Sequence, residues 1–241
     1  MKRFLANDFR EVYGKDFDLS GSEHHHLAVV TRSRVGDVVT TGHKEFDYVY
    51  RIVAINKNAT RLAFVQKRPN TANPKAHLTV FLPIIKPDCM ALAIQKLNEL
   101  GASEILIYRS ANSNIARCNI EKLGAIAAQS CKQCGRSIPI RIYNISFDVK
   151  HLNPEHYDVL FFADESLASG TLDASLSKLR FTQRANVALI VGPEGGFTPH
   201  EREVLRSFKR VVPVSLGSRI LRTETAVIAA SAILLSKMGE I

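Results

Sequence analysis

Val187-Ala188-Leu189-Ile190-Val191-Gly192-Pro193-Glu194-Gly195-Gly196-Phe197-Thr198-Pro199-His200-Glu201 is the stretch that decides the fold. Its apolar run from Val187 to Val191 has no polar alternation, as expected of a strand covered on both faces in a parallel sheet. Gly192 to Phe197 follows at the carboxyl end of that strand, where α/β sheets bind ligands, and its glycines let the backbone come close to one or adopt positive φ. Thr198 fits a helix N-cap, Pro199 the first helical position, and Glu201 the carboxylate that reaches back in a capping box. Strand, glycine loop and capped helix in immediate succession predict an α/β domain.

Working outward, the same alternation recurs. His77–Leu82, Ile105–Tyr108, Tyr157–Phe162 and Val211–Leu216 read as further strands. Helical spacing is seen in Asp88–Leu100, which Gly101 is placed to end, and near Asn119–Lys132, Leu172–Arg180, Pro199–Phe208 and Ala226–Met238. Apolar strands alternating with helices predict a parallel sheet with helices on both faces. The N-terminal part differs: Val38–Thr41, Asp47–Asn56 and Thr60–Lys67 are short β-rich runs separated by turn signals, predicting a small, barrel-like β-domain. The segment Pro69–Pro74, with two prolines and no periodicity, marks the boundary, so the sequence divides into a β-domain over 1–70, a linker over 71–76 and an α/β domain over 77–241.

A second loop, Leu216-Gly217-Ser218-Arg219-Ile220-Leu221-Arg222-Thr223-Glu224-Thr225, lies between the last strand and the last helix. Both loops are expected to leave the same edge of neighbouring parallel strands and to wall one pocket, with Ile220 and Leu221 suited to a flat ring. The alternative is plainer: Thr223 or Thr225 caps the helix while Arg222 and Glu224 pair at the surface. Neither loop has the Gly-Lys-Ser/Thr end of a phosphate loop or a GxGxxG fingerprint. Glu194 would repel phosphate and suits a neutral or cationic ligand bearing hydroxyls.

The 241 residues carry 32 Lys and Arg against 23 Asp and Glu, a formal charge of +9, with 46% hydrophobic residues. That composition excludes disorder and collagen-like structure. Tyr48–Pro87 has seven basic residues and no carboxylate, and Ile105–Phe147 has six against Glu121 alone, so a phosphate-rich partner is expected. The longest uncharged apolar stretch, Ala226–Leu235, is ten residues, about half of a bilayer span. Charge close to the N-terminus leaves no apolar run for a secretory signal, which predicts a cytoplasmic protein. Cys89, Cys118, Cys131 and Cys134 fit free thiols. The Cys131/Cys134 pair has no second ligand pair, and His24-His25-His26 point apart on any regular backbone, so no metal is expected.

The two loops resemble the hallmark segments of the RsmE-type uridine methyltransferases of the SPOUT superfamily. Gly192–Phe197 carries the first; Leu216-Gly217 and Ile220–Ala226 carry the second. Met1–Phe4, His24–His26, Val35–Asp37, Gln95-Lys96, Glu99–Gly101, Gln133 and Gly135-Arg136 extend the likeness over nearly the whole chain. Departures are Lys132 in place of an acidic residue, Cys134 in place of a serine, and Lys86-Pro87-Asp88-Cys89 in place of a Lys-Gly-Asp-Lys-like segment. The resemblance implies an α/β SPOUT methyltransferase domain with a C-terminal trefoil knot, preceded by a small PUA-like β-barrel domain that binds RNA. It also implies a homodimer that binds S-adenosylmethionine and methylates N3 of one uridine in 16S ribosomal RNA, with ribosomal RNA or the small ribosomal subunit as partner.

Carried over residue by residue, the resemblance places the cofactor at Gly192, Glu194, Gly196, Leu216, Gly217, Ile220 and Leu221, with Arg222 and Glu224 nearest the reaction. Arg222 is expected to stabilise the negative charge that develops when uridine N3 loses its proton, and Glu224 is the nearest candidate base. Arg3, Arg32, Arg34, Arg51 and Lys86 are the expected phosphate contacts. Two other readings stay open at this point: a SPOUT enzyme acting on ribose 2′-OH or another base, and a non-catalytic RNA-binding or ribosome-assembly protein.

Overall fold

The computed structural model describes residues 2–5, 13–113, 118–145, 149, 152–164, 171–177, 179–182 and 185–241. Two compact units emerge. The first comprises 1–73 together with 128–139, and the second comprises 74–127 and 140–241. The segment 128–139, placed in the α/β domain on sequence grounds, thus packs with the N-terminal unit.

In the first unit, β1 (Lys2–Arg3), β2 (Phe17–Ser20), β3 (Val38–His43), β4 (Phe46–Ile55) and β5 (Ala59–Pro69) form one sheet of order β1-β3-β4-β5-β2. Only β1 pairs in parallel, with β3. Register shifts between β4 and β5 at Val49/Tyr50 and Ile52/Ala54 mark bulges, which bend and twist a strand. Alternate residues then converge on one core, in which Phe17 and Leu19 meet Val39, Tyr50, Ile52 and Leu62. The fully buried Tyr50 ring meets Phe17 edge-on at 5.3 Å, and its hydroxyl accepts from Gly14 N at 3.3 Å. Its phenol is pushed above the ordinary value by that burial. α1 (Gly21–His25) runs into a π-helical turn over His26–Val30. There His24 is buried, bonded to Thr60 Oγ1 at 2.8 Å, so this member of the histidine run is a core residue.

The second unit is built on β6 (His77–Pro83), β7 (Glu104–Tyr108), β8 (Arg141–Asn144), β9 (Val159–Ala163), β10 (Asn186–Val191) and β11 (Val211–Val214). All pair in parallel in the order β11-β9-β10-β6-β7-β8. The apolar runs split by alternation into two cores. Leu78, Val80, Leu82, Val187, Leu189 and Val191 face one, with α2 (Pro87–Leu100), α6 (Thr223–Lys237) and the short α4 (Leu172–Leu176). Phe81, Ala188 and Ile190 face the other, with Leu205 of α5 (Pro199–Ser207). α3 (Ile120–Cys134) contributes Leu123 and Ala127 to the first of these cores.

Several sequence expectations meet the structure closely. Gly101 ends α2 with φ of 107° in the left-handed region, and Thr198 and Glu201 form the full capping box of α5. One is corrected. β10 and β11 are not neighbours, because β9 lies between them. No helix among the described residues is long and apolar enough to cross a membrane.

Candidate functional site

Parallel register decides where the loops meet. Val191 pairs with Ala163, and Val214 pairs with the same Ala163, so β10, β9 and β11 end level with one another at their carboxyl edge. The chain leaves that edge at Gly192, Asp164 and Ser215. A cavity of about 250 Å³ opens there.

Gly192, Glu194 and Gly196 from the first loop line it, as do Leu216, Gly217, Ile220 and Leu221 from the second. The seven residues expected around one ligand therefore surround one space. Arg222 is also on its wall. Glu224 is not among the lining residues; it is half-buried in the first turn of α6, and the Cys89 thiol donates a hydrogen bond to it. Burial first, and then the Glu224 carboxylate, push that thiol above the ordinary value, against the opposing pull of Arg222 and Lys86.

Backbone dominates the loop surfaces. A Cβ on Gly192 would lie 2.9 Å from the Phe197 ring, so that position has no room for a side chain. Gly196 and Gly217 have φ of 68° and 111°, a region that L-residues seldom adopt. Ile220 is 89% exposed, an apolar side chain left at the cavity mouth.

Supporting contacts fix the loop from behind. Tyr108, buried at the end of β7, donates its hydroxyl to Val191 O at 2.6 Å, and burial holds its phenol well above the ordinary range. Asn112 Nδ2 donates to Gly195 O at 3.2 Å and Gly196 O at 3.0 Å. Glu201 completes its capping box while accepting from Ser110 Oγ at 3.0 Å. Thr223 Oγ1 donates to Gly192 O at 3.0 Å, joining the second loop to the first. Arg222 occupies the N-cap position of α6 without a side-chain cap, and Thr223 and Thr225 lie within the helix rather than at its cap.

Sequence reasoning missed the third wall. Ala163, the last residue of β9, and Asp164 after it join the cavity lining, and the Asp164 carboxylate, fully buried, is held by Arg202 at 3.1 Å and Arg206 at 3.0 Å. An acid directly after the apolar run Val159–Ala163 was the available signal. Ser110 and Asn112 carried none, because they are ordinary loop residues until β7 is placed beside β6.

The expected phosphate contacts divide. Arg32, Arg34, Arg51 and Lys86 are exposed. Arg3 is not available: it is only 9% exposed, ion-paired with Asp47 at 2.9 Å and bonded to Arg136 O at 3.4 Å. Lys132 is likewise internal to the first unit, 3.0 Å from both Glu23 carboxylate oxygens. Among the described residues no group of three or more His, Cys, Asp or Glu is arranged to hold a metal ion.

A parallel α/β sheet with two loops enclosing a backbone-lined cavity defines a class, and the sequence model of the RNA methyltransferase domain matches residues 71–235. Ribosomal RNA small subunit methyltransferase E of Rickettsia conorii is 31% identical over 223 residues, covering 89% of this chain and 87% of that protein. The Bacillus subtilis protein of the same name is 30% identical, covering 87% and 86%. A crystal structure of ribosomal RNA small subunit methyltransferase E from Neisseria gonorrhoeae, bound to S-adenosyl methionine, superposes with a TM-score of 0.80 at 26% identity, covering 98% of this chain and 97% of that one. The chain belongs to the RNA methyltransferase family and, within it, to the ribosomal RNA small subunit methyltransferase E group.

Proposed function

We propose that this protein transfers a methyl group from S-adenosylmethionine to N3 of one uridine in 16S ribosomal RNA. The observation that carries the reading is the single cavity shared by the Gly192–Phe197 loop and the Ser215–Thr223 loop in a chain of this family. The donor set fits the cofactor. Glycine backbone suits a ribose and a purine edge, Leu216, Ile220 and Leu221 suit the flat ring, and Glu194 suits hydroxyls or positive charge. When bound, the cofactor supplies a methyl group on a sulfonium centre.

The chain's own residues do the rest. Gly192, Glu194, Gly196, Leu216, Gly217, Ile220 and Leu221 hold the cofactor. Arg222, on the cavity wall, supplies a guanidinium to offset the charge that builds on uridine O2 and O4 as N3 loses its proton. Glu224 keeps this corner in order through the hydrogen bond it accepts from Cys89 at the start of α6. Arg32, Arg34, Arg51 and Lys86 contact phosphates.

The N-terminal sheet serves as a PUA-like RNA-binding barrel, for which the bulged β4 and β5 strands are the support. The C-terminal end forms a trefoil knot, a reading supported by the return of the chain after the edge strand β11 to pack α6 on β10 and β6. The enzyme works as a homodimer in the cytoplasm, and Leu92 of α2 and Ile233 of α6, 42% and 41% exposed, are apolar side chains available to a second copy.

Incubation with S-adenosylmethionine and small ribosomal subunits lacking the modification, followed by nuclease digestion and mass spectrometry, tests the reading. Appearance of 3-methyluridine is expected. A 2′-O-methyl product, or none with a cofactor that does not bind, overturns it.

A further inference from the structure

The first unit holds a second cavity, of about 560 Å³, at the tip of the β3–β4 hairpin. Its walls are aromatic and its lip is basic. The Tyr13 ring stacks on the His43 imidazole with centroids 4.1 Å apart at 23° and meets Tyr48 at 4.9 Å. Phe46 carries the Lys67 ammonium 3.7 Å from its centroid. Tyr13, His43 and Phe46 line the cavity, facing Ile138 and Pro139.

This space is built and held open. Gly42 lies so close to Ser137 that a Cβ there would be 2.5 Å from the Ser137 Cβ, so only glycine lets the Ser137–Pro139 segment reach the hairpin. Asn73 then pins that segment: its Oδ1 accepts from Ser137 N and Ile138 N, both at 3.1 Å, and its Nδ2 donates to Ser137 Oγ at 2.7 Å. Ser137 Oγ in turn donates to Lys44 O at 2.5 Å, fixing the turn whose Lys44 has φ of 52°.

We propose that this cavity takes one unpaired nucleotide of the RNA, with the base against the Tyr13, His43 and Phe46 rings and its phosphates at Lys44. The occupant follows from size, ring content and charge. The volume lies within the usual range for a small organic ligand, and stacking on aromatic rings is how single-stranded bases, which have an open π-face, are held. Lys44, Lys67 and Arg68 are exposed around the hairpin, Glu45 is the only acidic side chain in the lining, and Tyr48 onward through Pro87 has no carboxylate. Lys67 and the ring pair it covers leave an electropositive aromatic surface, which favours a phosphodiester over an acidic or neutral peptide. The proposal rests on the RNA methyltransferase reading and adds a specificity site remote in sequence from the two cofactor loops.

The test uses the full-length protein and a single-stranded small-subunit RNA fragment substituted with 5-bromouridine. Ultraviolet cross-linking followed by peptide mass spectrometry should locate adducts on Tyr13, His43 or Phe46, and a duplex of the same sequence should not compete. His43→Ala and Phe46→Ala should each weaken single-strand affinity about tenfold, with His43→Tyr restoring it and cofactor affinity unchanged. Because Phe46→Ala could unfold the unit, Lys44→Glu is the packing-neutral variant; it should lower affinity and the salt slope by about one unit. Cross-links elsewhere with unaltered affinity in folded variants overturn the site. A wild-type protein that cross-links here but neither binds S-adenosylmethionine nor methylates would instead fail the functional reading alone.

Discussion

Thr223 Oγ1 donates to the Gly192 carbonyl at 3.0 Å, so the first residue of the last helix is fastened to the first residue of the glycine loop. The strands feeding those two loops are separated by β9, and this bond helps keep their ends facing one cavity. Thr223→Val keeps the shape and deletes the donor, leaving the Gly192 carbonyl short of a partner at a cost of about 1 kcal/mol. S-adenosylmethionine affinity should fall about tenfold by isothermal titration, with Thr223→Ser close to the parent. Unchanged cofactor affinity in the valine variant would mean that the tie does not shape the pocket.

Arg222→Ala separates binding from chemistry. The guanidinium lies on the cavity wall and is exposed, so removing it disturbs little packing. Cofactor affinity should stay within about threefold, while single-turnover methylation falls about a hundredfold or more, the scale of losing one charge-stabilising donor. An equal loss in both would assign Arg222 to cofactor binding.

Gly192→Ala probes the close approach. The added Cβ would sit 2.9 Å from the Phe197 ring, which is itself buried against Phe162 at 4.9 Å and cannot swing away freely. Overpacking of this kind costs about 1–3 kcal/mol. A lower melting temperature together with lost cofactor binding is expected; a variant with parental melting and affinity would show that the loop yields easily.

Most of the α/β unit could be read from pattern, because a parallel sheet buried on both faces writes itself as unbroken apolar runs such as Val187–Val191 and His77–Leu82. Strand order could not. Nothing local tells Val159–Ala163 to insert between β10 and β11, so Asp164 was missed as a wall of the cavity while all seven loop residues were found. β8 escaped for the opposite reason: as an exposed edge, Arg141–Asn144 carries little apolar signal. Charge was legible only in sum. Arg3 and Lys132 look like surface cations in a basic sequence, and only the fold brings Asp47 and Glu23 to them.

Cys89 reports on Glu224 and Arg222 through its titration. Its thiol is raised by burial and then by the Glu224 carboxylate, which disfavours a second negative charge beside it, while Arg222 and Lys86 pull the other way. The pH profile of iodoacetamide labelling at Cys89, followed by peptide mass spectrometry, should have its midpoint above that of an ordinary thiol. Glu224→Gln removes the repelling charge and should move the midpoint down; Arg222→Ala removes a stabilising cation and should move it up. A midpoint at the ordinary value in the parent would mean that the Cys89–Glu224 contact is not kept in solution.

The Arg3–Asp47 pair decides whether an N-terminal cation serves structure or RNA. Both side chains are less than one-tenth exposed, and Asp47 also accepts from Asn70 Nδ2 at 2.7 Å, with Arg68 at 3.6 Å. Removing one partner of a buried pair leaves the other uncompensated, at a cost of about 3 kcal/mol or more. Arg3→Met should therefore lower the melting temperature of the protein by several degrees, because the residue left behind is a buried carboxylate with one cation fewer. Asp47→Asn on the same background should recover part of that loss by removing the stranded charge, a coupling that an independent phosphate contact would not give. RNA affinity measured well below the melting transition should change less in Arg3→Met than in Arg34→Ala or Arg51→Ala, whose guanidinium groups are exposed. The reverse order, with Arg3 dominating affinity at unchanged stability, would return that side chain to the RNA surface.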